Sequence, residues 1–337
     1  MRQEQFVAQH NEVWHQLSEW LRLNSMNSKD RHTSIKTNNL HWYKDFDFPS
    51  TYRQVCQHLA LAKSRQYSQP LLDKIGNLVL AGHQQFYRPK TNLKEKFFSL
   101  LLVKLPQTIR QEWILITISS VLFMGSLIAT LVAIQINPDL TYSIVDAGNV
   151  AQMEHMYRPD SHARASENRQ ADSDVYMFGY YIMNNTSIGL RTFASGLLFG
   201  IGSIFILLFN GLTIGTVAGH LTQLGYIETF WGFVSGHSAM ELIAIIISGA
   251  AGLKLSAALL RPGQRSRLRA LKENARIALV MMYGAAAMFF IAAFIEAFWS
   301  PRTFIPVNIK YAVGIFLWVV VIAYFSLVGR GKVLDET

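Results

Sequence analysis

Before residue 112 apolar positions come singly or in short clusters; beyond it they come in long uncharged runs. Trp113 to Ile136 carries no charge over 24 residues, enough to cross a hydrocarbon core of about 30 Å as a helix. Further runs at Leu190–Phe209, Ala239–Leu260, Ile277–Phe298 and Val307–Val328 bring the strong spans to five. The segment Gly211 to Val234 is weaker, with His220, Gln223 and Glu228. The N-terminal third shows helical periodicity instead. Phe6, Val7, Trp14, Leu17, Trp20, Leu21 and Leu23 fall roughly on one helical face. Ser50–Gln66 and Pro70–Phe86 repeat the pattern, with Pro49 and Pro70 where a missing N–H costs nothing. Asn24 to Asp45 is polar and predicts a loop with at most one short helix.

These patterns predict an all-α chain: a polytopic membrane helical bundle with an N-terminal cytoplasmic helical domain. Residues 1–90 form a soluble bundle. Residues 91–112 mix Lys and Arg with Phe97, Phe98 and Leu105 as an amphipathic membrane-surface helix. Residues 113–136 are the first transmembrane helix, and 137–188 an acid-leaning extracytoplasmic loop whose apolar-poor centre is expected to be mobile. Residues 189–330 are a transmembrane core, and 331–337 a cytoplasmic tail.

Charge adds orientation. The net charge is +9, yet only 16% of residues are charged, against about 25% in soluble domains. Arg261, Arg265, Arg267, Arg269, Lys272 and Arg276 crowd one loop with only Glu273 among them. A loop of that kind stays cytoplasmic. The first 30 residues lack a signal-peptide core, so the N-terminus is expected there too. Five crossings put the basic loop outside; six put it inside. The sixth element is therefore expected at 211–234, as a short, broken or re-entrant piece, giving six crossings or five plus a re-entrant segment. The lone Cys56 precludes an intramolecular disulfide.

Candidate chemistry gathers in the apolar half. His237 and Glu241 are four apart, on one helical face. Six crossings would bring Glu296 to the same end, and Asn210 opens the Gly-rich stretch before them. His220, Glu228 and Lys254 are secondary candidates. Three readings stand side by side: a proton or ion site, a divalent metal held by His237, Glu241 and Glu296, and a structural polar clamp. H-x-x-x-E is not the H-E-x-x-H zinc signature. No Walker A, nucleophile-elbow or dinucleotide-binding motif is present, so neither ATP hydrolysis nor serine-hydrolase chemistry is implied, and no cofactor. Two functional classes stand beside the structural one: an ion- or proton-coupled transporter or channel working through Asn210, His237, Glu241 and Glu296, and an intramembrane hydrolase without a readable nucleophile–base pair. Gly196, Gly200, Gly211, Gly215, Gly219, Gly249 and Gly252 mark helix-packing faces, within the chain or in a homodimer seam.

Several of these residues carry a resemblance. Asn184-Asn185, Phe193 to Gly202, Asn210-Gly211 with Gly215, His237 with Glu241-Leu242, Arg261 to Gly263 and Ile295-Glu296 resemble the stage II sporulation protein M family of bacterial integral membrane proteins. Pro49, Tyr52 and Arg53 extend the likeness into the soluble part. Ser238 departs from the family's Gly after the His. The resemblance implies the bacterial cytoplasmic (inner) membrane and a scaffold rather than an enzyme. Its namesake acts with peptidoglycan-remodelling partners. Longer members are encoded beside MoxR-type AAA+ ATPases and von Willebrand factor A proteins, which makes these the implied partners. Membrane lipids, a homodimer, and no nucleic acid complete the expectation.

Overall fold

The computed structural model describes residues 1–26, 28–37, 40–43, 45–87, 97–160 and 171–331, and among them there is helix and no strand. The chain divides into two compact units, Met1–Asn92 and Leu93–Thr337.

The first unit contains α1 (Gln3–Ser25), α2 (Ser28–Thr37), α3 (Phe48–Ser64) and α4 (Gln69–Phe86). A single-turn 3-10 helix at His41–Tyr43 joins α2 in the stretch read as mostly loop. Asp47 caps α3 by accepting from the Ser50 amide at 3.3 Å, with Pro49 in the first turn. The apolar stripes meet in a core of Phe6, Trp14, Leu17, Val55, Ala62, Leu71 and Ile75.

The second unit opens with a π-helical turn, Leu100–Lys104, and α5 (Leu105–Gln111). Of the expected 91–112 helix, residues 91–96 lie outside the described residues, as does 332–337 of the expected tail. Then come α6 (Trp113–Ile136), α7 (Ala147–Tyr157), α8 (Ala171–Ala194), α9 (Ile201–Gln223), α10 (Ile227–Leu260), α11 (Arg267–Phe298) and α12 (Val307–Leu327). Five of these, α6 and α9 to α12, are long and apolar enough to cross a membrane. The described chain is an all-α polytopic membrane bundle with a separate helical unit.

Three boundaries differ from the sequence reading. The apolar run Leu190–Phe209 is not one helix. It contains the end of α8, a 3-10 turn at Ser195–Leu197, and the start of α9. The reversal between them places Phe199 and Gly200 at φ of 54° and 86°, a left-handed pair that glycine makes cheaper. The segment 211–234 is not a separate or re-entrant crossing. Its first part completes α9, Gly225 at φ 80° makes the turn, and its last part begins α10. And 137–188 is not all loop, since α7 and most of α8 fall inside it, while 161–170, in the centre expected to be mobile, lies outside the described residues.

The α8 helix packs alongside the five apolar helices. Asp174 near its start pairs with Arg302 beyond the end of α11, and Asn185 meets Glu296. A Cβ on Gly189 would fall against Phe289, and one on Gly196 against the backbone of Gly252. So α8 runs antiparallel to α11 along most of the body. Its inward stripe is polar or small: Asn185, Gly189 and Thr192 are buried, as is Gly196 in the turn that follows. That stripe lowers its mean hydropathy, and the exposed Asn184 and Arg191 lower it further.

The α10 helix is the axis. The five other long helices of the unit all pack against it. The candidate glycines serve these contacts. Gly211 and Gly215 seat α9 on Phe123, Ser126 and Leu127 of α6, Gly219 meets Leu131 and Ile134, and Gly249 meets Ser119 and Leu207. Gly252 lies on the Thr192 carbonyl. These glycine faces are therefore occupied within one chain, and a homodimer would need another surface.

Candidate polar site

α10 carries His237 and Glu241 one turn apart on the same face, near the end of the bundle opposite the basic loop. α11 approaches antiparallel and brings Glu296 alongside. One ligand atom from each of His237, Glu241 and Glu296 lies within 4.8 Å of the other two. His237 is buried at 4% exposure, and its Nε2 stands 3.8 Å from Glu241 Oε2. Its Nδ1 is 3.2 Å from Ser300 Oγ. Ser300 is itself fixed: its carbonyl accepts from Lys310 Nζ at 2.8 Å and its amide donates to Ile295. Asn185 of α8 donates to Glu296 Oε2 at 3.4 Å, and Asn184 donates to Asn185 at 3.0 Å.

Aromatic rings close the site. Phe233 stands edge-on to His237 with centroids 5.5 Å apart, and Tyr157 packs edge-on against Phe230 and Phe233. Burial pushes the Tyr157 phenol well up, and Tyr181 with the carboxyls of Glu296 and Glu241 adds to the shift. The end of α7 therefore faces the cluster.

The other candidates lie elsewhere. Asn210 does not join: its amide donates to the Ile206 carbonyl of its own helix at 2.8 Å, which satisfies it in place. His220 is paired with Glu154 at 2.8 Å and lies 3.5 Å from Thr141. Lys254 meets Glu112 at 2.5 Å at the other end of the bundle. Glu228 sits in the first turn of α10, near Tyr311. The reading of residues in isolation missed Ser300, Lys310 and Tyr157, which had no motif to flag them. Asn185 was visible only as half of the Asn-Asn pair. Chemically, two carboxyls and an imidazole this close and this dry can share a proton, hold a cation, or clamp α8, α10 and α11 together.

A family model described as Stage II sporulation protein M matches residues 115–301, and a second, described as Domain of unknown function (DUF8413), matches residues 4–88. No curated protein and no solved structure matches the chain.

Proposed function

The chain belongs to the Stage II sporulation protein M family, and from that premise we propose that it is a non-enzymatic membrane scaffold. The observation that carries this reading is the enclosure of α10, the helix holding the polar cluster, by all five neighbouring long helices. Backbone-to-backbone contacts at Gly196, Gly215 and Gly252 leave little room for sliding. Such a body anchors rather than moves. Its basic end, with Arg261, Arg265, Arg267 and Arg269, faces the cytoplasm of a bacterial inner membrane. The N-terminal unit then lies in the cytoplasm and docks soluble partners, a MoxR-type AAA+ ATPase and a von Willebrand factor A protein being those the family implies. Leu61, Leu80, Phe86 and Tyr87 offer exposed apolar contact area on that unit.

A photo-crosslinking residue at Leu80 in the full chain, in native membranes, tests this. A discrete adduct to such a partner is the expected result, absent with the crosslinker at Glu12. Proteoliposomes supply the opposing outcome. Proton or cation flux that disappears in a folded Glu241→Gln variant would replace scaffolding by transport through the cluster.

A further inference from the structure

We infer that His237, Glu241 and Glu296 form a binding site for a divalent transition-metal cation of the zinc class. Three observations converge on it. The donor atoms come from two helices and already lie within 4.8 Å of one another. Tetrahedral ligands at bond lengths of about 2.1 Å sit about 3.4 Å apart, so closure of the widest pair by up to about 1.4 Å completes a coordination triangle. The donor set of one imidazole nitrogen and two carboxylate oxygens, without thiolate, suits zinc, manganese or iron better than calcium or magnesium.

The second observation is the state of His237. Ser300 Oγ lies 3.2 Å from Nδ1, on a residue pinned by Lys310. With Nδ1–H donated to Ser300, the Nε2 lone pair points towards Glu241 at 3.8 Å, beyond hydrogen-bond reach. In that tautomer an acceptor on a side chain only 5% exposed faces the Glu241 carboxylate, and in either tautomer Nε2 lies beyond hydrogen-bond reach of it. A cation between the two turns that opposition into ligation. A histidine whose other ring nitrogen is held by a fixed partner is also the usual arrangement behind a metal ligand.

The third observation is support and charge. Asn185 orients the Glu296 carboxylate, as Ser300 orients the imidazole. The nearby cation Lys310 is committed to the Ser300 carbonyl. Two carboxylates ionised this close together need a counter-charge, and a divalent ion supplies it. Bound there, the metal ties α10 to α11 directly and to α8 through Asn185. The site stands whether or not the soluble unit docks a partner.

The test uses the full chain free of affinity-tag histidines, purified in detergent, stripped with chelator and titrated with Zn²⁺ alone. About one tightly held zinc per chain is expected by elemental analysis. The Glu296→Gln and His237→Ala variants should lose it at least tenfold, and His83→Ala, in the other unit, should not. Gel filtration establishes that each variant is folded. Should both variants misfold, X-ray absorption of zinc-loaded wild type decides: one imidazole with oxygen ligands supports the site, and any other ligand set overturns it. Wild type that stays folded yet retains neither Zn²⁺ nor Mn²⁺ overturns the proposal. So does full zinc retention by both folded variants.

Discussion

At His58 the N-terminal unit buries an imidazole that accepts from Trp14 Nε1 at 3.1 Å through its Nδ1. The ring of His10 stacks on it at 3.9 Å. Protonation of Nδ1 would cost the Trp14 bond and place charge in the core. Burial first, and then His10, hold the His58 pKa below its ordinary 6.5. The unfolded chain therefore binds more protons than the folded one below about pH 6.5. Stability of this unit is full above that value and falls as pH drops through it, levelling off below the depressed folded value. Tryptophan-fluorescence unfolding of the full chain across pH 5 to 8 should show the loss, and His58→Gln, which keeps an acceptor but does not titrate, should flatten it. Glycines separate in the same residue-by-residue way. Gly196→Ala drives a Cβ into the backbone of Gly252 and should destabilise the membrane unit by about 1–3 kcal/mol. Gly76→Ala, in α4 with nothing within 4 Å of the new Cβ, should stabilise its unit by about 0.5–1 kcal/mol. Thermal melts of the two variants should move in opposite directions. The sequence showed the His237–Glu241 pair because a helix puts i and i+4 together, and it reached Glu296 through topology. Ser300 was invisible because its contribution is a hydroxyl beyond a helix end, fixed by a lysine ten residues on. Asn210 misled because an asparagine in a helix can satisfy itself on its own backbone.

Among the elements, α8 is where sequence reasoning failed, and the reason is physical. A run of mean hydropathy sees lipid-facing and core-facing residues alike. In α8 the core-facing stripe holds Asn185 and Thr192, and Asn184 and Arg191 are exposed beside Met183 and Leu190, so the average sinks on both faces. Conversely, Leu190–Phe209 read as a helix because the reversal at 195–200 is itself apolar. The element ends that were legible are those carrying charge, and one such pair predicts a measurable coupling. Glu112 begins α6, Lys254 lies near the end of α10, and their side chains meet at 2.5 Å with 15% and 17% exposure. Asn274 of α11 also donates to the Lys254 carbonyl at 3.0 Å. Glu112→Gln leaves the ammonium with a neutral partner in a mostly dry place and should cost about 2–3 kcal/mol. Adding Lys254→Met should recover most of that loss. A double-mutant cycle on detergent-phase unfolding reads the coupling, and simple additivity would show that the pair is held apart in the native state.

For the molecule as a whole, the arrangement of α8 decides the topology. Glu112 with Lys254 at one end, and Asp174 with Arg302 at the other, fix which termini of the helices lie together. The turn at 195–200 then belongs to the same end as the basic loop 261–266, and the starts of α8 and α10 belong to the far end. Six long helices laid out this way return the C-terminal end of α12 to the side from which α6 departs. Under the orientation proposed above, in which the positive-inside rule governs, the basic end is expected in the cytoplasm. In a Cys56→Ser background, single cysteines at Asp172, Leu198, Glu228 and Arg265 sample both sides of α8 and of α10. An impermeant maleimide applied to intact spheroplasts should label the Asp172 and Glu228 positions, and should reach Leu198 and Arg265 only after lysis. Labelling of Leu198 from outside would leave α8 lying along one face of the membrane and return the chain to five crossings. Labelling of Arg265 from outside would invert the basic end. Only the expected pattern leaves α8 as a polar-striped crossing and puts His237, Glu241 and Glu296 at the outer end of the bundle.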